Sequence, residues 1–98
     1  MTPTIGRIVH YTLTEGDVNA IRNQRLAANL GAYLYNQVRV GDVYPAMVVR
    51  VFDPSTTTAN LQVFLDGVDS YWATSRQEGD GEGHWAWPAR VAEGAPAV

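Results

Sequence analysis

The chain has 98 residues, 46% hydrophobic and 17% charged, which is the size of one domain and the composition of a folded rather than a disordered one. It contains no cysteine, so disulfide staples, thiolate zinc sites and cysteine nucleophiles are excluded. A net charge of −3 with a pI of about 5.1 argues against a general binder of nucleic-acid backbone, and all seven cations are Arg, each a planar fork suited to carboxylate or phosphate.

In chain order, Met1 to Arg7 has no apolar h-region and is not read as a signal peptide. Ile5 to Thr12 reads as a first strand, rich in β-formers, with Gly6 at a bend or close contact. Thr14 is a cap and Asp17 completes a shortened capping box, so a helix is predicted from about Glu15 to about Leu30, with Gly31 as its stop. Ala32 to Val40 either prolongs that helix or forms an aromatic-rich loop. Val43 to Phe52 is the predicted central strand, with Pro45 marking an edge or a bulge. Asp53 to Thr58 is a polar loop. Asn60 to Leu65 alternates, with Leu61, Val63 and Leu65 on one face and Gln62 and Phe64 on the other. Asp66-Gly67 signals a hairpin and Val68 to Ser75 returns. Gln77 to Gly83 reads as a mobile acidic loop, and Trp85 to Val91 as a last short strand that Pro88 confines to an edge or brings to its end. Residues 92–98 read as a loose tail.

Five short strands must curl or close to bury an apolar face. The expected fold is therefore mainly β with one helical insertion: a small five-stranded SH3-like barrel over residues 1–91, with the helix, about 14–31, in the first long connection. An open antiparallel sheet crossed by the helix is the alternative. The longest apolar stretch, Ala46 to Val51, is broken by Arg50 and falls far short of the ~20 residues that span a bilayer. No membrane association is expected, and the cytoplasm of the producing cell is the expected location.

Catalytic signatures are sparse. Without Lys there is no G-x-x-x-x-G-K-[ST] phosphate loop. Gly79, Gly81 and Gly83 lie between carboxylates that repel phosphate, and no helical pattern follows them. His10 and His84 are the only imidazoles and lack zinc-motif spacing. Ser70 or Ser75 with His84 and Asp69 makes a triad on paper, without a nucleophile elbow around either serine. No enzyme, metal or cofactor is expected.

Three features point to binding. Tyr71, Trp72, His84, Trp85 and Trp87 cluster late in the chain. Alternation puts Trp85 and Trp87 on one face and Tyr71 and Trp72 on opposite faces, so these rings either fill the core or stack on a ligand. Arg76, Arg90 and Arg7 accompany them, as solvated charges, as partners of Asp66, Asp69 or Glu78, or as phosphate clamps. Arg22 and Arg25 share a helix face, followed by Tyr33 and Tyr35, a combination that interface cores favour over most others.

The segments Thr2-Pro3-x-x-Gly6-x-Ile8-Val9-His10-Tyr11, Gly41-Asp42-x-Tyr44-Pro45, Phe64-Leu65-Asp66-Gly67, Trp72-Ala73-Thr74-Ser75 and Trp85-x-Trp87-Pro88-x-Arg90 together resemble a family of short phage and prophage proteins. The resemblance spans nearly the whole chain to Arg90. It implies a phage-encoded protein made in a bacterial host, and carries over no activity or site residue.

The leading expectation is a non-enzymatic homo-oligomeric binder that sequesters a small anionic ligand in the host cytoplasm, the concrete case being a nucleotide-derived immune signal. Trp72 or Trp85 would stack on it. Arg76, Arg90, Arg7 and a neighbouring subunit's face carrying Arg22 and Arg25 would grip phosphate, with His10 and His84 adding hydrogen bonds. The alternatives are a virion decoration or tail-associated protein and, third, an inhibitor of a host enzyme acting through the Glu78 to Glu82 loop.

Overall fold

A computed structural model describes residues 2–89. The expected tail at 92–98 and Arg90 lie outside the described residues, whereas the last strand, expected over Trp85 to Val91, is observed as His84–Ala86 and ends ahead of Pro88. In chain order come β1 (Ile8–Thr12), α1 (Glu15–Ala27), a single 3-10 turn (Ala32–Leu34), β2 (Val43–Val51), β3 (Ala59–Phe64), β4 (Ser70–Glu78) and β5 (His84–Ala86). The strands close into one barrel, β1-β2-β3-β4-β5 and back to β1. This is the small SH3-like barrel with one helix that the sequence predicts. Among the described residues no helix is long and apolar enough to cross a membrane.

A ring with an odd number of strands cannot alternate direction all the way round, so one neighbouring pair must run parallel. That pair is β4 and β5, with Gln77 opposite His84 and Glu78 opposite Trp85. The chain must leave β4 and re-enter beside it within Gly79 to Gly83. Gly81 and Gly83 take φ of +86° and +82°, which L side chains avoid. A Cβ on Gly79 would lie 2.9 Å from His84 Nδ1. The stretch expected to be a mobile acidic loop makes this return with backbone hydrogen bonds at both ends. Gly79 N–H donates to Trp85 O at 3.0 Å and Gly83 N–H to Thr12 O at 2.9 Å.

Alternation places Val9, Tyr11, Val48, Leu61, Val63 and Trp85 inside, where each buried large side chain contributes about 1.5–3 kcal/mol. Two bulges adjust the register, one in β2 between Val48 and Arg50, the other where β3 meets β4. In the second, Ser75 adopts φ +55° and its N–H is accepted by Asn60 Oδ1 at 2.7 Å. The extra residue turns Arg76 back toward the interior and lets β4 run on to Glu78, past the expected end at Ser75.

Thr14 and Asp17 cap α1 reciprocally, as read from the sequence. The helix stops at Ala27, not Leu30. Asn29 takes the left-handed conformation, φ +55°, and Leu30 N–H reaches back to Arg25 O at 3.0 Å while Asn29 N–H reaches Leu26 O. This Schellman closure pre-empts Gly31. The buried stripe of α1 is Asp17, Val18, Ile21 and Arg25. β1 begins at Ile8 rather than Ile5 because Gly6, at φ +90°, bends the chain. The turn after β3 runs through residues 65–69 rather than a two-residue Asp66-Gly67 loop, because Gly67 pairs with Tyr35.

Candidate functional site

Two polar knots tie α1 to the barrel, and they determine where the expected site residues go. The first surrounds Asp17, which is fully buried. Its Oδ2 accepts from Thr14 N–H at 2.9 Å and from the Tyr11 hydroxyl; its Oδ1 accepts from the Tyr71 hydroxyl at 2.7 Å and Arg76 Nη2 at 2.8 Å. Burial alone would raise the pKa of Asp17. Those hydrogen bonds and the Arg76 charge outweigh it and hold the carboxyl below the ordinary carboxylate range. Burial, then the bond to Asp17, pushes the Tyr71 phenol up to about 12. Arg76 is thus committed to neutralising Asp17, and its Nε is buried without a partner among the described residues.

The second knot surrounds Arg25, whose side chain is only 3% exposed. Nε and Nη2 grip the two oxygens of Asp69 at 2.8 and 3.2 Å, Nη1 donates to Asn36 O at 3.1 Å, and the guanidinium lies 3.9 Å over the Tyr35 ring. The Arg25 fork holds the Asp69 carboxyl below its usual range. Asn36 Nδ2 donates to Asp66 Oδ2 at 2.8 Å, and Val68 N–H donates to Leu34 O at 3.0 Å. A Cβ on Gly67 would sit 2.6 Å from Tyr35 Cβ, so only glycine lets the two segments meet. The Asp66 and Asp69 pair noted in the sequence is used here, fastening the aromatic connection to the hairpin.

Three of the expected roles are corrected, the first being that of Arg76, which is paired with buried Asp17 and not free to clamp a phosphate. Trp85 is a core residue: it is wholly buried, donates Nε1 to Thr57 O and Arg76 O, both at 3.1 Å, and meets Trp87 edge-on at 5.4 Å. It has no free face for a ligand. Arg25 is buried and paired, so it does not form an exposed gripping face with Arg22. The others are scattered. Arg7 lies 5.1 Å over the Trp87 ring. His84 is half-buried, with Nδ1 3.2 Å from Gln77 O. His10 and Trp72 are exposed on the outside of the barrel, while Arg76 points inward from the same strand as Trp72. Arg90 lies outside the described residues. Among the described residues no group of three His, Asp or Glu side chains gathers for a metal.

What does assemble is a surface on either side of Tyr35. One hollow, of about 330 Å³, lies between the 3-10 turn and Asp66-Gly67; another, of about 220 Å³, is lined by Arg22, Arg25, Leu26, Tyr35 and Gln37. Tyr33, at 89% exposure, and Leu26, at 78%, stand over them. Arg22 is exposed and has no acidic partner within 4.0 Å among the described residues. The aromatic pair and the arginines were visible in the sequence. Asp17 as the hub of a buried network was not, beyond its capping spacing, because Tyr71 and Arg76 reach it from 54 and 59 residues away.

Comparison with protein-family models, characterised proteins and solved structures returns no match, so the functional reading rests on the chain's own geometry.

Proposed function

We propose that this chain is a non-enzymatic docking module that holds a partner protein on the surface around Tyr35. The observation that carries this reading is the exposure of Tyr33 and Leu26 at two hollows that share Tyr35, the smaller lined also by Arg25, which Asp69 holds in place. Tyr and Arg are over-represented at interface hot spots, and a side chain already held in place loses little ordering entropy on binding. In the phage setting that the sequence resemblance implies, the partner is a capsid or tail protein and the chain is a decoration or tail-associated component. Mass spectrometry of purified particles tests this. The chain is expected at a fixed ratio to one structural protein, and a Tyr33→Ser, Leu26→Ser double variant is expected to be lost from particles while remaining folded. Particles free of the wild-type chain would overturn the reading.

One observation favours a second reading. Arg22, which has no acidic partner within 4.0 Å among the described residues, lines the smaller hollow together with Tyr35. Capture of a small anionic ligand, a nucleotide included, would use Arg22 for the anion and the apolar wall for the remainder. Calorimetry against linear and cyclic nucleotides decides it: binding heat that Arg22→Gln removes supports capture, and a flat response from the wild type rejects it.

A further inference from the structure

We infer that Asp80-Gly81 is a self-modification site, at which the chain converts its own backbone to isoaspartate and so loosens β5, while the same dipeptide at Asp66-Gly67 is kept inert by the fold. The argument does not depend on what docks around Tyr35. The chemistry needs a carboxyl, the next backbone nitrogen and the freedom to bring them together. That nitrogen attacks the aspartate Cγ. An N–Cγ bond forms, and the hydroxyl of the carboxyl in its acid form leaves as water with the amide proton, which gives a five-membered succinimide. Water then opens the ring at either carbonyl. Breaking N–Cγ restores aspartate. Breaking the bond from the nitrogen to the main-chain carbonyl carbon leaves a chain that runs through Cβ and Cγ, one carbon longer. A following glycine favours the attack because it has no Cβ to obstruct it.

The sequence has Asp-Gly at 66–67 and at 80–81. All four residues are exposed, so access of water does not separate the two sites. Hydrogen bonding does. At the first, Asp66 Oδ2 accepts from Asn36 Nδ2 at 2.8 Å and Asp66 O accepts from Asn36 N–H at 2.9 Å. The nitrogen that would attack, Gly67 N, donates to Leu65 O at 2.9 Å, and Gly67 is wedged against Tyr35. Neither reacting group is free to turn toward the other. At the second site, Asp80 has no cationic partner within 4.0 Å and Gly81 N–H has no backbone acceptor among the described residues. Nothing lies within 4 Å of the place a Gly81 Cβ would take, so no neighbour blocks rotation there.

The position of Asp80 gives the reaction a consequence. Residues 79–83 are the whole link between the parallel neighbours β4 and β5. Three backbone bonds fix that link: Gly79 N–H to Trp85 O at 3.0 Å, Gly83 N–H to Thr12 O at 2.9 Å and His84 N–H to Gly81 O at 3.3 Å. β5 itself is in register over two residue pairs on each side. One more main-chain carbon between residues 80 and 81 displaces the bonds of the link. A three-residue strand has few others to hold Trp85 in its slot, so β5 opens more readily than the rest of the barrel.

Incubation of the whole folded chain for several weeks at neutral pH and body temperature, in water enriched in heavy oxygen, tests the proposal. Each ring opening leaves one heavy oxygen on the aspartate, whichever bond breaks. Trypsin, applied afterwards in ordinary water, cuts after Arg50 and Arg76 and puts the two sites on separate peptides, 51–76 and 77–90. Label and isoaspartate are expected at Asp80 and not at Asp66. In urea both sites are expected to label. Asp80→Glu, which would have to close a larger ring, is expected to remove the label from 77–90 at an unchanged melting temperature. The isoaspartyl form, separated by chromatography, is expected to melt at a lower temperature with Trp85 more open to acrylamide. Equal labelling of the two sites in the folded chain, no label at Asp80, or label in 77–90 that survives Asp80→Glu overturns the site. An isoaspartyl form that melts like the starting protein overturns the loosening of β5.

Discussion

Arg25 and Asp69, 44 residues apart, meet in a two-pronged ion pair, Nε to Oδ2 at 2.8 Å and Nη2 to Oδ1 at 3.2 Å. The pair is nearly dry, with side chains 3% and 12% exposed. Removing one member leaves the other charge without compensation. Arg25→Ala is expected to cost about 3–5 kcal/mol in urea unfolding. Arg25→Lys is expected to recover only part of that, because a point charge cannot span both oxygens or lie flat on Tyr35. Hydrogen exchange should accelerate at Tyr35, Asn36 and Val68 in both variants, and no change there would contradict the bracing role.

The Asp17 knot fixes the pH profile. Its folded pKa lies below the ordinary 3.8. The stability it supplies is therefore fully present above that value and is lost as pH falls through the lower folded value. Melting temperature should be flat near neutrality and drop below about pH 4. Asp17→Asn should flatten that acid limb and cost about 2–3 kcal/mol at pH 7. At the other end, Tyr71 is raised from 10.0 to about 12. Its neutral form stabilises the fold below pH 10, and that contribution disappears as pH climbs through the higher value. Following tyrosinate absorbance with pH should show Tyr11 and Tyr71 ionising above the ordinary phenol value of 10.0.

The bulge at Ser75 predicts effects of opposite sign. Ser75→Gly relieves a positive φ of +55° and should stabilise by about 0.5–1 kcal/mol. Asn60→Ala leaves the Ser75 N–H without its acceptor and should destabilise by about 1–3 kcal/mol. Paired urea titrations give both signs. Equal losses from the two changes would mean that the bulge is not held in this way.

Two tryptophans separate core from surface. Trp85→Ala should cost about 3–5 kcal/mol, since it empties the barrel and strands the Thr57 and Arg76 carbonyls. Trp72→Ala should change stability by no more than about 0.5 kcal/mol. Acrylamide should quench Trp72 readily and Trp85 hardly at all.

The sequence carried its local physics openly. The Leu61, Val63 alternation against Gln62 and Phe64 is the burial observed in β3, and the Thr14 to Asp17 spacing is the helix start. It was less informative where two distant segments decide the outcome. Gly31 was the obvious helix stop, yet the carbonyls of Arg25 and Leu26 were satisfied first, through Asn29 and Leu30. Alternation paired Trp85 with Trp87 but did not say which face was the inner one, so a core indole was nominated for stacking. Arg25 looked like Arg22 from its spacing. What distinguishes them is Asp69, brought beside Arg25 by the hairpin. The three glycines of Gly79 to Gly83 read as looseness because their purpose, joining parallel neighbours across a short gap, exists only in the closed ring.

That ring has a consequence for biosynthesis. β5 is three residues long and, of the described strands, leaves the ribosome last. Before it arrives, β1 and β4 each expose an unpaired backbone edge, and the slot for the Trp85 indole stands empty. A nascent chain can complete the β2–β3–β4 meander but not the barrel. Crowded translation, with several such unfinished chains side by side, is therefore the stage at which this protein is most exposed to mispairing with its own copies.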